Sequence, residues 1–126
     1  MKILIITLIC IVAILYHTFP LIRVVGDSMF PTYYNDEIIV GTRLYRVAEL
    51  KIGDVIVYRS PNDEGRLVIK RISQILIDGK KRYFYCLGDN ADHSYDSRSY
   101  GYVSSKNLVC KVINQRESVS NANSSN

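Results

Sequence analysis

Apolar and polar positions divide the chain into two unlike parts. Between Lys2 and Arg23 lie twenty residues without a formal charge, opening with Ile3-Leu4-Ile5-Ile6 and running to Leu15 with Thr7 as the one polar interruption. At about 1.5 Å per residue such a helix roughly matches a hydrocarbon core of ~30 Å. Pro20 should stop it, leaving about seventeen residues, the short end of what spans a bilayer. A cleaved secretory leader would also place an apolar run after a basic residue. Around the end of the run, however, Tyr16-His17-Thr18-Phe19-Pro20-Leu21 holds no pair of small residues two apart, so a retained anchor is expected. A buried core helix is the third reading, and about a hundred strand-like residues could hardly wrap so uniformly apolar a helix. Lys2 and Arg23 flank the run on both sides, so charge alone sets no orientation.

From Leu21 onward the signals change to strands and tight turns, with apolar runs at 21–25, 38–40, 55–58, 67–77 and 83–87. Pro61-Asn62-Asp63-Glu64-Gly65 reads as a hairpin loop and Asp78-Gly79 as a tight primed turn, so the runs that flank them should pair antiparallel. Arg46 to Lys51 suits a short helical turn, and Gly-Asp steps at 26, 53 and 88 mark turns at strand ends. The expected fold is mainly β: an N-terminal transmembrane helix followed by a small antiparallel sheet or barrel-like domain. Its parts are an anchor and juxtamembrane segment at 1–22, a minimal β-rich domain at 23–116 and a disordered polar tail at 117–126.

Composition narrows the function classes. With 126 residues, 48% apolar and 22% charged, the chain has room for one domain and is neither disordered nor collagen-like. Sixteen basic and 12 acidic residues give +4, too mild and scattered for a nucleic-acid groove, though suited to an anionic membrane surface. Cys10, Cys86 and Cys110 form no C-x-x-C, and no His pair has ligand spacing, so neither a disulfide framework nor a metal site is indicated. Only Cys86 and Cys110 are candidates for a pair.

Three stretches can carry chemistry. Ser28 lies in Gly26-Asp27-Ser28-Met29-Phe30-Pro31-Thr32, directly after the first strand. A serine there is a nucleophile only if a base can reach it, and taken alone it is better read as a turn residue. In Val68-Ile69-Lys70-Arg71-Ile72, alternation puts Lys70 on one face with Val68 and Ile72. The bland reading is an edge lysine that opposes aggregation. The sharp one is a desolvated amine, whose pKa would have to fall from ~10.4 by two or three units, about 3 to 4 kcal/mol, for it to act as a base near neutral pH. The third stretch, Gly88 to Val103, is dense in polar groups that need partners if buried. Singly, Asp96 and Arg98 suit a structural ion pair and Ser94 is one turn hydroxyl among several.

Jointly, in order and in residues, these stretches resemble the bacterial-type signal peptidase I family of membrane-anchored Ser-Lys endopeptidases. The resemblance covers nearly the whole chain: the anchor, the Ser28 segment, Gly53-Asp54-Val55-Ile56-Val57-Tyr58, the Lys70-Arg71 strand and the segment from Gly88 to Gly101. It implies Ser28 as nucleophile, Lys70 as general base, Ser94 as the serine that orients the lysine amine, and Asp96 with Arg98 as a structural pair. The Ser28 N–H would bind the oxyanion. Some members add a serine hydroxyl two residues before the nucleophile, where this chain, like other members, has Gly26. The endoplasmic-reticulum branch carries His at the position of Lys70, which puts this sequence with the bacterial type. A Ser-His alternative through His93 or His17 is set aside, because His93 falls on a position that the resemblance does not make catalytic and His17 sits at the expected membrane boundary.

The resemblance further implies a substrate bound as an extended strand beside residues 22–25 and 68–70, with Ile22, Val24, Val25, Met29 and Ile69 as pocket walls selecting small residues before the cut. No metal or organic cofactor is implied. The partners would be precursor proteins with signal peptides and the lipid bilayer, at the plasma membrane with a single-pass anchor and the catalytic domain on the extracytoplasmic side. Two other readings stand beside this one. One is a catalytically silent anchored module of the same fold. The other is a self-cleaving repressor-type Ser-Lys peptidase, which lacks support because no Ala or Cys in the chain is followed by Gly.

Overall fold

The computed structural model describes residues 1–63 and 65–118. Helix α1 spans Lys2–Thr18, and it buries none of its residues. Its apolar side chains face outward all round, with no stripe turned toward the β domain, as a sequence with no helical period in its polarity dictates. Thr7 fits because its hydroxyl donates to the Ile3 carbonyl one turn back, at 2.8 Å. Phe19 leaves helical geometry just before Pro20, where the proline ring forbids another turn. The helix therefore has 17 residues, about 25 Å of rise. Among the described residues no helix is long and apolar enough to cross a membrane, which corrects the expected transmembrane helix and single-pass anchor.

The junction after α1 is a firm one. Arg43 N–H donates to the Thr18 carbonyl at 3.0 Å, Gly41 N–H donates to the Pro20 carbonyl at 2.8 Å, and the Arg43 guanidinium donates to the His17 carbonyl. The two bonds from Arg43 satisfy the helical carbonyls of His17 and Thr18, and the one from Gly41 holds Pro20 just beyond the helix.

Among the described residues seven strands follow: β1 (Leu21–Arg23), β2 (Ile38–Thr42), β3 (Val55–Arg59), β4 (Leu67–Asp78), β5 (Lys81–Leu87), β6 (Val103–Ser104) and β7 (Leu108–Val112). They form one antiparallel sheet in the order β1-β2-β7-β3-β4-β5-β6. The two hairpins expected from the turn residues are present. Val55–Arg59 pairs with Leu67–Arg71, and Asp78 pairs with Lys81 across a two-residue loop in which Gly79 takes φ 59°. Val47–Glu49 forms the short helical turn as a single 3₁₀ turn.

Two features depart from the sequence reading. Strand β1 ends at Arg23: Val24 N–H still reaches the Glu37 carbonyl in register, but the Val24 carbonyl is taken by Asp36 N–H, where the partner chain turns with Asp36 at φ 68°. Strands β6 and β7 were not anticipated, and β7 lies at the centre of the sheet between β2 and β3. Residues 119–126 of the expected disordered tail lie outside the described residues.

The core explains why β3 reads as unbroken Val-Ile-Val-Tyr. Val55 and Val57 enter one buried cluster with Val24, Met29, Tyr33, Ile69 and Cys110. Ile56 and Tyr58 enter a second, on the other face, with Ile72, Phe84, Cys86 and Val103. A strand covered on both sides shows no alternation. Cys86 and Cys110 are buried free thiols, one in each cluster.

Phe84 is fully buried in the second cluster. Phe84→Ala should lower unfolding free energy by about 3 to 5 kcal/mol in urea titration.

Candidate active site

Strand β4 carries the lysine inward. Its register sets Lys70 opposite Ile56 of β3 and Ile69 opposite Val57, so the amine is drawn along the buried middle of the sheet and Lys70 is only 4% exposed. Lys70 Nζ lies 2.6 Å from Ser28 Oγ, across 42 residues of sequence. Burial lowers the Lys70 pKa to about 8. The negative charge of Asp96 opposes that fall, and the cations Arg66 and Arg98 add to it.

Ser28 sits half-buried in the turn after β1. Among the described residues its N–H has no acceptor, while its carbonyl receives the Asn90 N–H at 2.9 Å. The turn is pressed against residues 88–90, and Gly88 makes that approach possible: a Cβ there would come within 2.5 Å of the Ser28 carbonyl oxygen and 2.1 Å of Ser94 Oγ. Space, rather than turn geometry, is what this Gly-Asp step supplies.

Asp96 is fully buried. Its carboxylate accepts from Gly88 N–H at 2.9 Å, Ser94 Oγ at 2.7 Å, and the Arg98 N–H, Nε and Nη2 at 3.1, 3.0 and 2.9 Å. Burial alone would raise its pKa, but the bonds from Arg98, Gly88 and Ser94 outweigh that and hold it well below the usual carboxylate range. Ser94 thus gives its proton to Asp96, and among the described residues no hydrogen bond joins it to Lys70.

A second buried pair was missed by sequence reasoning. Arg71 Nη2 meets Asp89 Oδ2 at 2.7 Å and also donates to the Arg116 carbonyl, while Nη1 donates to the Gly53 carbonyl at 2.9 Å. The available signal was the charge of Arg71 on the face opposite Lys70, a face it shares with the apolar Ile69.

A cleft of about 790 Å³ opens at Ser28 and Lys70. Ile22, Val25 and Ile69 line it, with Val57 and Val109 beneath. Val24 and Met29 do not reach it: they are 1% and 0% exposed and belong to the first core cluster, because their side chains turn inward where the chain wraps from β1 into the Ser28 turn. His93 is exposed at the cleft, and His17 lies at the end of α1 beside Arg43. Among the described residues no group of His, Cys, Asp and Glu side chains is placed to hold a metal ion.

A sequence model of the family described as signal peptidase, peptidase S26, matches residues 1–75 and 79–115. The chain belongs to this family. Among curated relatives it is 46% identical over 54 residues to signal peptidase I of Buchnera aphidicola, covering 40% of this chain and 17% of that protein. It is 35% identical over 105 residues to mitochondrial inner membrane protease subunit 1 of Schizosaccharomyces pombe, covering 70% of this chain and 67% of that protein. A mitochondrial ATP-independent inner membrane protease subunit 1a of Arabidopsis thaliana is 31% identical over 98 residues, 62% of this chain and 58% of the relative. The chain thus spans between about a sixth and two thirds of the length of the relatives it matches.

Within the family frame, a lysine with a lowered pKa has a thermodynamic signature. Below pH about 8 the folded protein holds a buried ammonium and the full desolvation cost is present. Between about 8 and 10.5 the folded form sheds its proton before the unfolded one does, and the cost fades. Lys70→Met should therefore stabilise the fold at pH 7 by up to about 3 kcal/mol, with the gain shrinking toward pH 10. Thermal melts of both proteins across this range measure it, and a destabilised variant at pH 7 would contradict it.

Proposed function

We propose that the chain is a membrane-associated serine endopeptidase that removes N-terminal signal peptides from exported precursor proteins, with Ser28 as nucleophile and Lys70 as general base. The observation that carries this reading is the buried Lys70 amine, 2.6 Å from the Ser28 hydroxyl. Neutral Lys70 takes the hydroxyl proton as Ser28 Oγ attacks the scissile carbonyl. The tetrahedral oxyanion is met by the Ser28 N–H. Collapse expels the new amino terminus, which leaves with the proton from Lys70, and an acyl-enzyme remains on Ser28. Lys70 then deprotonates a water that attacks the ester, and Ser28 recovers its proton. Every proton is moved by a side chain of the protein itself.

The cleft supports an extended substrate. Residues Leu67–Lys70 lie beyond the stretch of β4 that pairs with β5, which begins at Arg71, so one edge of this segment is open to an added strand. Ile22, Val25 and Ile69 offer apolar walls beside it, and small residues before the cut are the side chains we expect there. The exposed apolar surface of α1 favours work at a lipid surface, on the extracytoplasmic side of the plasma membrane where exported precursors emerge.

The test is gel-shift cleavage of a model precursor with an Ala-x-Ala site by detergent-solubilised protein. Wild type should cut and Lys70→Ala should not. The rate of the wild type should rise with pH through about 8 and then level off, because only the neutral amine accepts a proton, and at pH 7 about a tenth of it is neutral. Equal cleavage by both proteins would remove Lys70 from the base role. Absence of cleavage by the wild type would favour the silent module.

A further inference from the structure

The turn that presents Ser28 is gripped from outside by one residue at two points. The Asn90 backbone N–H donates to the Ser28 carbonyl at 2.9 Å, and the Asn90 side-chain amide donates to the Asp27 carbonyl at 3.0 Å. The second contact bears on the Ser28 N–H. The Asp27 carbonyl and the Ser28 N–H belong to a single trans, planar peptide unit, so they point in opposite directions and cannot turn independently. A donor that fixes the carbonyl fixes the direction of the N–H.

The Asp27 carbonyl also receives the Phe30 N–H at 3.0 Å, but that bond is internal to the turn and rotates with it. Asn90 supplies the external reference. It lies three residues past the end of β5, next to Asp89, which Arg71 holds at 2.7 Å. Arg71 is the strand neighbour of Lys70, so the residue that aims the N–H and the residue that carries the amine share one rigid frame. With Gly26 in place of a hydroxyl-bearing residue, the Ser28 N–H has no serine hydroxyl beside it at that position.

We propose that Asn90 is a positioning residue for oxyanion stabilisation: its carboxamide, through the Asp27 carbonyl, sets the direction in which the Ser28 N–H points. This rests on Ser28 and Lys70 acting as proposed above. Asn90→Ala keeps the backbone bond to Ser28 and removes only the bond to Asp27. In the full chain it should lower kcat about tenfold, the equivalent of about 1.4 kcal/mol, with KM unchanged and with the pH midpoint still near 8. Asn90→Leu, which keeps the approximate size and loses the donor without adding a charge, should do the same, and it stands in if the alanine variant does not fold.

A second readout does not need activity. The residual dipolar coupling of the Ser28 N–H should change in both variants while the couplings of β3 and β4 stay as in wild type. An unchanged kcat, a rise in KM alone, or an unchanged Ser28 coupling would overturn the proposal. Should the wild type cleave nothing, the Ser28-Lys70 reading fails by itself, and the coupling still decides whether Asn90 aims this peptide.

Discussion

A buried lysine amine beside the hydroxyl of a half-buried serine is the constraint on which the rest of this molecule turns. Burying an ammonium is unfavourable, and the chain contains no carboxylate in hydrogen-bond contact with Lys70 among the described residues. Packing in the rest of the fold must offset that cost, and the same packing around β3 is what keeps the amine dry. That strand is covered on both faces, so its neighbour β4 inherits a dry middle into which Lys70 is threaded. A strand open on one side would leave the amine in water with its ordinary basicity.

Charge around the amine is arranged with equal care. Asp96 is near enough to draw the lysine back toward its protonated form. The carboxylate is instead occupied by Arg98, Gly88 and Ser94, and Arg98 adds a positive field of its own that favours the neutral amine. Asp96 therefore serves as the knot that ties the short helix at Ser97–Tyr100 to Gly88, and Gly88 in turn sets how closely the Ser28 turn can approach. Removing the methyl group that any other residue would bring to position 88 is as much a part of the site as the polar side chains are.

Much of this was legible in the sequence where the governing rule is local. Pro20 marks the helix stop, Gly79 marks the tight hairpin, and the alternation at 68–72 separates Lys70 from Arg71. Ser28, Lys70 and the segment from residue 88 onward stood out jointly because three stretches resembled one family pattern, not because any of them was decisive alone. What escaped was set by distant pairing. Strand β7 inserts between β2 and β3, and nothing in Leu-Val-Cys-Lys-Val announces partners some 50 to 70 residues upstream. Val24 and Met29 look like the neighbours that line the cleft, yet the wrap of the chain after β1 turns both into the core. The stop of α1 was legible at Pro20, whereas the transmembrane helix expected from its apolarity was not found, no helix among the described residues being long and apolar enough to cross a membrane.

The junction between α1 and the sheet has a consequence of scale. Because Thr18, Pro20 and His17 carbonyls are bonded from Gly41 and Arg43 on and beside β2, the helix is joined to the β domain as a strut rather than by a hinge. Arg43 and Pro20 also stand at the rim of the cleft that holds Ser28. Whatever surface covers the apolar side chains of α1 is thereby kept at a set height from the serine. On the proposed reading the molecule has the build of a gauge, in which an extended chain emerging from that surface would meet Ser28 only at a fixed reach along its length.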